Sequence, residues 1–267
     1  TKIDESIISA FDVLRNRIDK FGVTQPNIQI LGVSGRILVE LPGAKDVDRV
    51  KNILQSTAQL EFWETFKNEP FLSFLVQADK YISDNFSKKA DEKIETSEID
   101  DLLADVEITD SINNINNQPI LSLVKGYGYQ GGPVLAQFLS KDIKKIQAYL
   151  DLPEIRKLLP SQYRYVSFQF GKPDIETGIT DLYLIKSNRD GTPPLSGGVV
   201  VDAVQTYDQV GQPAVSMQMN AKGSRVWEGM TEKAFKQSSN IAIVLDSIVY
   251  SAPGVSNGPI AGGRSEI

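Results

Sequence analysis

Histidine and cysteine are both absent from the 267 residues of the chain. Without cysteine the chain can form no disulfide, zinc ribbon or thiolate nucleophile. Without histidine it cannot carry a Ser-His-Asp or Cys-His catalytic set, and it lacks the usual ligand of zinc enzymes. We therefore expect a protein without a metal or other cofactor, and paired carboxylates are the hydrolytic arrangement that we consider as an alternative.

Long hydrophobic runs and an excess of positive charge are also lacking. The apolar runs FLSFLV (71–76) and NIAIVLDSIVYSA (240–252, interrupted by Asp246) fall short of the about 18–20 residues that span a bilayer. The 34 acidic residues outnumber the 28 basic ones, which disfavours nucleic acid and anionic membranes as partners. Because the chain opens with Thr1 and shows no signal peptide, we expect an excised piece of a longer protein that is not itself inserted in the membrane.

Residues 1–66 have the pattern of a small α+β unit. Five apolar residues fall at helical spacing, namely Ile7, Phe11, Leu14, Ile18 and Phe21. The predicted elements are a helix ending at Gly22, strands 26–31 and 36–41, a stop at Pro42 and Gly43, a helix at 46–56 and a strand at 58–66. This order predicts most of a ferredoxin-like split βαβ unit that lacks its first strand.

The middle of the chain is acidic and less regular. Residues 79–110 hold eleven acidic and four basic side chains, and SINNINNQP (111–119) is typical of a polar linker. We predict helices at 74–93 and 97–105, and strands at 120–124 and 164–170 on either side of a helix at 140–150. The acids of 98–110 favour a solvated helix face over a calcium loop, since they lack the D-x-D-x-D-G spacing.

The last third has the pattern of a second compact α+β unit. After a loop over 186–198, the predicted order is β-β-α-β-β. Its elements are strands 199–206 and 213–219, a helix at 221–236, and a hairpin of 240–246 with 248–252. The fold class predicted for the whole chain is therefore α+β.

Four features raise chemical alternatives. GYGYQG (126–131) matches a dinucleotide fingerprint, but no helix is predicted directly after its third glycine, so a loop is favoured. Asp246 is either a lone catalytic carboxylate or, as we favour, a turn residue. Trp63 and Trp227 mark either a peptide groove or the core. The strand ILVEL lacks the aromatic residues of an RNA-binding sheet.

Several long motifs resemble a known family. RNRIDKFGVTQPNIQ, GRILVELPG and DVDRVKNILQSTAQLEF look like the start of the first periplasmic (P1) domain of SecD, a subunit that works with SecF and the Sec channel. GGVVVDAVQTYDQVGQPAVSMQMNAKGSRVWEGMT and NIAIVLDSIVYSAPGVSNGPIAGGRSEI resemble the head subdomain of that domain. The middle segment resembles the enlarged insert of fused SecDF proteins from Bacteroidota-like bacteria.

The resemblance implies a division into three segments. These are a ferredoxin-like base at 1–66 that also lacks its last helix, a variable acidic segment at 67–177, and a smaller α+β head at 178–267. It implies a parent protein in the inner membrane with this segment in the periplasm. Implied partners are the translocating unfolded preprotein, the SecYEG channel, and SecF or the SecF half of a fusion.

The family has no reaction centre in this region, so we name no catalytic residue. A head that moves relative to the base implies hinges, for which we name Phe66, Pro70, Pro194, Gly197 and Gly198. The residues expected to have structural roles within the family motifs are Arg17, Gly22, Pro42, Gly43, Gln59, Leu60, Asp246, Ala252, Pro253, Gly262 and Gly263.

The predicted function is to assist export driven by the proton-motive force, by holding or releasing the translocating polypeptide. An alternative is a free-standing envelope hydrolase, which requires two carboxylates about 5–10 Å apart across a cleft. A third is an adhesion or lipid-binding module, which requires an exposed apolar cavity.

Overall fold

The computed structural model describes residues 7, 8, 10, 11, 14, 15, 18, 26–32, 35–42, 54, 59–87, 118–208 and 211–267. Within these ranges helices and strands are both abundant, which confirms the α+β class. No helix among them has the length and apolar character needed to cross a membrane. The contacts divide the chain into two units, Thr1–Ala58 and Gln59–Ile267.

The first unit contains an antiparallel hairpin. Its strands are β1 (Asn27–Leu31) and β2 (Arg36–Glu40), paired from Asn27 opposite Glu40 to Leu31 opposite Arg36. The predicted strands at 26–31 and 36–41 are therefore confirmed. The described residues between 7 and 18 are helical, as predicted, and Ile18 is buried. Arg17, Gly22, Gly43 and most of the predicted helix at 46–56 lie outside the described residues.

Among its described residues, the second unit contains three sheets. Their strands are β3 (Leu60–Glu64), β4 (Gly126–Tyr127), β5 (Val134–Leu139), β6 (Val166–Phe170), β7 (Ile179–Lys186), β8 (Leu195–Ser196), β9 (Val200–Tyr207), β10 (Pro213–Met219), β11 (Ile241–Leu245), β12 (Ile248–Ser251) and β13 (Arg264–Glu266). The strand orders are β4-β5-β7-β6, β12-β11-β3-β8 and β13-β10-β9. The helices are α1 (Glu69–Ser87), α2 (Ile143–Asp151), α3 (Pro153–Arg156) and α4 (Ala221–Gln237).

The largest hydrophobic core joins α1, α2 and α3 to the sheet β4-β5-β7-β6. Phe74 of α1 stacks on Phe168 of β6 with ring centroids 5.6 Å apart. Helix α1 begins at Glu69, earlier than the predicted 74, because Pro70 is well suited to a first helical turn. The predicted helix at 97–105 lies outside the described residues.

The strand predicted at 120–124 is wrong. Residues Leu121–Leu123 form a short 3₁₀ helix instead. The cause is the carboxylate of Asp79 in α1, whose Oδ1 accepts hydrogen bonds from the backbone N–H groups of Ile120 (2.7 Å) and Leu121 (2.8 Å). A side chain that captures two successive N–H groups favours a turn over a strand.

The C-terminal elements agree with the predicted order β-β-α-β-β. They are β9, β10, α4 and the β11–β12 hairpin, followed by the short strand β13. A second core lies between α4 and two of the sheets and includes Phe62, Met217, Met219 and Trp227. Strand β3, which the sequence assigns to the N-terminal unit, pairs along its whole length with β11. The division at 66 and 177 itself stays a prediction.

Candidate functional site

The sheet β13-β10-β9 has one long edge. Strand β10 pairs with β9 from Pro213–Tyr207 to Met219–Val200, and with β13 from Ser216–Glu266 to Gln218–Arg264. Among the described residues β9 pairs with β10 alone, so its other side is an edge. Of the two strands predicted at 199–206 and 213–219, the first therefore lies at an edge of this sheet and the second is central.

The side chains of β9 are exposed on both faces of the sheet. Val201 and Tyr207 are 64% and 65% exposed, and Val204, whose side chain alternates to the opposite face, is 52% exposed. Apolar residues on an exposed edge strand are a template for pairing with another extended chain. This eight-residue edge is the candidate functional site.

Helix α4 holds the start of β9 in place. Asn220 caps the helix: its Oδ1 accepts from Gly223 N–H at 2.9 Å, and its own N–H donates to Val199 O at 2.9 Å. Gly223 lies so close to the strand that a Cβ there would stand 2.6 Å from Val199 Cβ. The sequence NAKGS thus combines a cap and a small residue at the point where helix and strand meet.

Two predicted motif glycines lie where the chain enters β13. Gly262 O accepts from Gln218 Nε2 at 3.0 Å, and Gly263 O accepts from Met219 N–H at 2.8 Å. Gly263 has φ +71°, and a Cβ there would stand 2.8 Å from Ser224 Cβ. Glycine is required here for both conformation and space.

Four other motif residues bracket the sheet β12-β11-β3-β8. Asp246 (φ 49°) forms the β11–β12 turn with Ser247 (φ 65°). The Oδ1 of Asp246 accepts from Gln59 N–H at 3.1 Å. Ala252 O accepts from Asn240 Nδ2, and Pro253 O accepts from Ile241 N–H. The structure therefore places Asp246 in a turn, as the sequence favours, and Pro42 is exposed just after β2.

The residues named as hinges are held differently from one another. Phe66 N–H donates to Leu184 O at 2.8 Å, and its ring contacts Tyr163 with centroids 5.1 Å apart. Pro70 lies in the first turn of α1. Gly197 abuts the motif residue Leu60, because a Cβ there would stand 2.7 Å from Leu60 Cβ. Pro194 and Gly198 are exposed. The assignment of hinges stays a prediction.

The GYGYQG segment consists of β4 and most of the turn to β5, and a strand, not a helix, follows it. A Cβ on Gly128 would stand 2.2 Å from Val134 O, so the glycine permits the two backbones to touch. Asn68, which sequence reasoning missed, is 2% exposed and organises this turn. Its Nδ2 donates to Tyr129 O and Val134 O, both at 2.9 Å, and its Oδ1 accepts from Gly131 N–H.

An ion-pair cluster connects β3, β7 and α4. Glu64 Oε2 lies 3.0 Å from Lys186 Nζ, and its Oε1 lies 2.8 Å from Lys233 Nζ. Burial acts to raise the pKa of Glu64, but the two lysines outweigh it and lower that pKa from 4.5. The bond to Glu64 raises the pKa of Lys233. Sequence reasoning missed this cluster because its members lie 122 and 169 residues apart.

The two tryptophans are both core residues, each 3% exposed, as the sequence favours. Trp63 Nε1 donates to Glu61 Oε2 at 2.7 Å. The ring of Trp227 meets Phe62 edge to face, with centroids 5.3 Å apart. Within the described ranges, no group of three or more acidic residues is arranged to hold a metal ion.

Two family models match the chain. The first, protein translocase subunit SecDF P1 domain, N-terminal, covers residues 7–66, and the second, SecDF P1 head subdomain, covers residues 177–267. The protein translocase subunit SecD of Rhodothermus marinus is 34% identical over 99% of this chain and 42% of its own length. That of Anaeromyxobacter dehalogenans is 27% identical over 94% of this chain and 37% of its own length.

Among solved structures, one of the membrane component SecDF that enhances protein export is 24% identical, with a TM-score of 0.45, over 98% of this chain and 79% of that chain. The present chain spans less than half the length of the curated relatives named above. The N-terminal model matches the first part of the chain and the head-subdomain model matches its last part, so both parts of the chain match the P1 domain. The chain therefore belongs to the SecD/SecDF protein translocase family and corresponds to its P1 domain.

Proposed function

We propose that this chain is a non-enzymatic periplasmic domain that holds translocating polypeptide through the edge of β9. The observation that carries the proposal is that edge: eight residues of strand with apolar side chains exposed on both faces. Strand addition uses main-chain hydrogen bonds, which every polypeptide can supply. An edge of this kind therefore suits a partner of changing sequence.

The geometry also favours weak and reversible binding. The exposed side chains of β9 lie on a surface and not in a deep groove, so an added strand would bury only part of its own apolar area. Weak contact is suited to export because a tightly bound chain would stop moving. The curated relatives are named as protein translocase subunits, which supports a role in moving polypeptide.

The parent protein in this proposal is an inner-membrane subunit associated with the SecYEG channel and with SecF or a fused SecF half. It uses the proton-motive force through segments outside this chain. Within the chain, residues 1–66 form a ferredoxin-like base, 67–177 a variable segment and 178–267 the head. The hinges are Phe66 to Pro70 and Thr192 to Gly198.

A binding measurement tests the role of the edge. The ligand is a fluorescent, reduced and alkylated polypeptide that cannot fold, and the readout is fluorescence anisotropy. Val204→Lys places a charge on the edge strand, a change that natural proteins use to prevent strand addition. We expect it to weaken binding about tenfold, as loss of about 1.4 kcal/mol would.

Val215→Lys is the matched control. Val215 is 47% exposed and lies in the same sheet, but it belongs to the central strand β10. The control variant should bind like the unmodified chain. Equal binding by all three proteins, or no binding by the unmodified chain, overturns the proposal.

A further inference from the structure

A cavity of about 420 Å³ lies where the turn between β4 and β5 meets the end of α4. Two aromatic residues and four hydroxyl or amide residues line it, namely Tyr129, Phe235, Ser238, Ser239, Asn240 and Ser256. Its volume falls in the range of about 300–1,000 Å³ that is typical of sites for small ligands. No residue of β9 lines it, so it is a different site from the proposed polypeptide-binding edge.

The turn holds the ring of Tyr129 in an exposed position. Tyr129 O accepts hydrogen bonds from Asn68 Nδ2 at 2.9 Å and from Gly132 N–H at 3.0 Å, so the backbone below the ring is fixed. The ring lies against Gly132, where an added Cβ would stand 2.8 Å from Tyr129 Cζ. The side chain is nevertheless 67% exposed. A ring that is already fixed loses little entropy when a ligand packs against it.

The second aromatic residue comes from the end of α4. Phe235 lies in the last turn of the helix and is 44% exposed. Ser238 ends the helix with φ 48°, and its N–H donates to Phe235 O at 3.2 Å. The buried Asn240 links this end of the helix to the turn, because its Nδ2 donates to Ala252 O at 2.8 Å and to Tyr129 OH at 3.5 Å. The two aromatic residues are therefore held in place before a ligand enters.

The cavity is uncharged. None of the described residues that line it is Asp, Glu, Lys or Arg, although these four types make up 23% of the chain. An anionic ligand would meet no cation, and it would face the C-terminal end of α4, which carries partial negative charge. A cationic ligand would meet no carboxylate. The cavity therefore suits a neutral ligand that offers hydrogen-bond donors to the last carbonyls of the helix.

The side chains of the lining match the groups of a sugar. The hydroxyls of Ser238 and Ser256 lie on exposed residues and can each donate and accept, as sugar hydroxyls do. Tyr129 OH accepts from Asn240, so its own hydrogen is free to donate. The electron-rich faces of aromatic rings attract the C–H groups of a pyranose ring. Val255 adds apolar surface to the lining, which suits the methyl of an acetyl group.

We propose that this cavity binds a neutral N-acetylated oligosaccharide. A sugar ring packs against Tyr129 and Phe235, its hydroxyls bond to the serine hydroxyls, and an acetyl methyl contacts Val255. The site gives the chain affinity for a glycan, a class of partner different from the polypeptide held at β9. The two sites bind independently because they share no residue.

A nuclear magnetic resonance titration tests the site, with the ¹⁵N-labelled chain as the target and N,N′-diacetylchitobiose as the probe. We expect saturable shifts of the backbone amide signals of Tyr129, Ser239 and Val255, while the signals of β9 stay in place. Chitobiose, in which each acetamido group is replaced by an ammonium group, is the matched control ligand. It should bind at least about tenfold more weakly, because the cavity supplies no partner for its charge.

Variants of exposed tyrosines supply a second readout. Tyr129→Ala removes the ring and should weaken the disaccharide about tenfold. Tyr129→Phe keeps the ring and should stay within about threefold, which separates the loss of the ring from a loss of fold. Tyr207→Ala is the matched control, since its ring is 65% exposed but lies on β9, and it should change the affinity less than twofold.

The outcomes separate this proposal from the one made for β9. The absence of saturable shifts at the cavity amides, or equal losses from Tyr129→Ala and Tyr207→Ala, overturns the sugar site. Shifts at these amides that the unfolded polypeptide causes and the disaccharide does not would make the cavity part of the polypeptide-binding surface, which also overturns it. The effect of Val204→Lys on polypeptide binding decides the role of β9 separately.

Discussion

Gln59 and Asp246 are joined by two reciprocal hydrogen bonds across 187 residues of sequence. Gln59 N–H donates to Asp246 Oδ1 at 3.1 Å, and Asp246 N–H donates to Gln59 O at 3.2 Å. The carboxylate that looks isolated in the sequence thus fastens the start of β3 to the β11–β12 turn. Both residues belong to the motifs that carry the resemblance to the family. Their role in this structure is structural, because they hold the two segments together.

The turn at Asp246 gives a stability prediction. At φ 49° an aspartate or asparagine is tolerated better than other side chains, because its short polar group bonds locally. Asp246→Ala loses both this local hydrogen bonding and the bond to Gln59. We therefore expect the free energy of unfolding to fall by about 2 kcal/mol. Asp246→Asn, which keeps an acceptor, should stay within about 0.5 kcal/mol. Urea denaturation of both variants measures this, and equal losses would contradict the assignment.

Two glycines of α4 predict opposite effects of the same substitution. Gly223→Ala forces a Cβ to within 2.6 Å of Val199, and overpacking of this kind costs about 1–3 kcal/mol. At Gly229 nothing lies within 4 Å of the added Cβ, so Gly229→Ala should stabilise the helix by about 0.5–1 kcal/mol. Thermal unfolding of the two variants decides the matter. A stabilised Gly223→Ala would show that α4 does not approach β9 as described.

The Glu64 cluster predicts a pH dependence. The folded-state pKa of Glu64 lies below the ordinary 4.5, so its contribution to stability is present above 4.5 and is lost as the pH falls through the folded value. At pH 7 Glu64→Gln should lower the free energy of unfolding by about 1 kcal/mol, and the difference should vanish in acid.

Glu232→Gln serves as the control for this cluster. Glu232 pairs with Lys236 one turn away on the exposed face of α4, at the spacing worth about 0.3–0.5 kcal/mol. Denaturation curves between neutral and acid pH compare the two variants. A difference for Glu64→Gln that persists unchanged below its folded pKa would exclude the ion pairs as its cause.

We expect the stability of the chain to depend strongly on one oxygen atom, Oδ1 of Asp79. This residue is buried, and its Oδ1 is the acceptor for both Ile120 N–H and Leu121 N–H. Asp79→Ala leaves the buried Ile120 N–H and the part-buried Leu121 N–H without a partner and should cost about 3 kcal/mol. Asp79→Asn retains an oxygen in that place and should cost about 1 kcal/mol. Amide hydrogen exchange at Ile120 and Leu121 reports the loss of these two hydrogen bonds. Unchanged exchange at both amides in Asp79→Ala would contradict the role given to Asp79.

Local periodicity in the sequence is sufficient to locate several elements. The alternation in 213–219 and the apolar stripe of 221–236 identify β10 and α4 because each has one face against a common core. What a local pattern cannot supply is the partner across the chain. The pairing of β3 with β11 depends on residues about 180 positions apart, and the turn at 121–123 depends on Asp79 in a preceding helix.

The sequence predicts only part of the candidate site, because a local pattern does not show which strands pair. Sequence patterns predict strands at both 199–206 and 213–219, and only the strand order shows that β10 is central and β9 is not. Trp227 is predictable as a core residue. That its indole N–H meets no acceptor within the described ranges depends on the three-dimensional arrangement of α4 and its neighbours.

Photocrosslinking during export tests the central claim most directly. A photoreactive phenylalanine derivative replaces Val204 in the full-length parent protein, a stalled secretory protein occupies the channel, and Val215 carries the same probe as the control. The account predicts crosslinks to the translocating chain from Val204 on the edge strand and few from Val215 on the central strand. Equal crosslinking from both positions, or none from Val204 while export proceeds normally, would contradict a polypeptide-holding edge at β9.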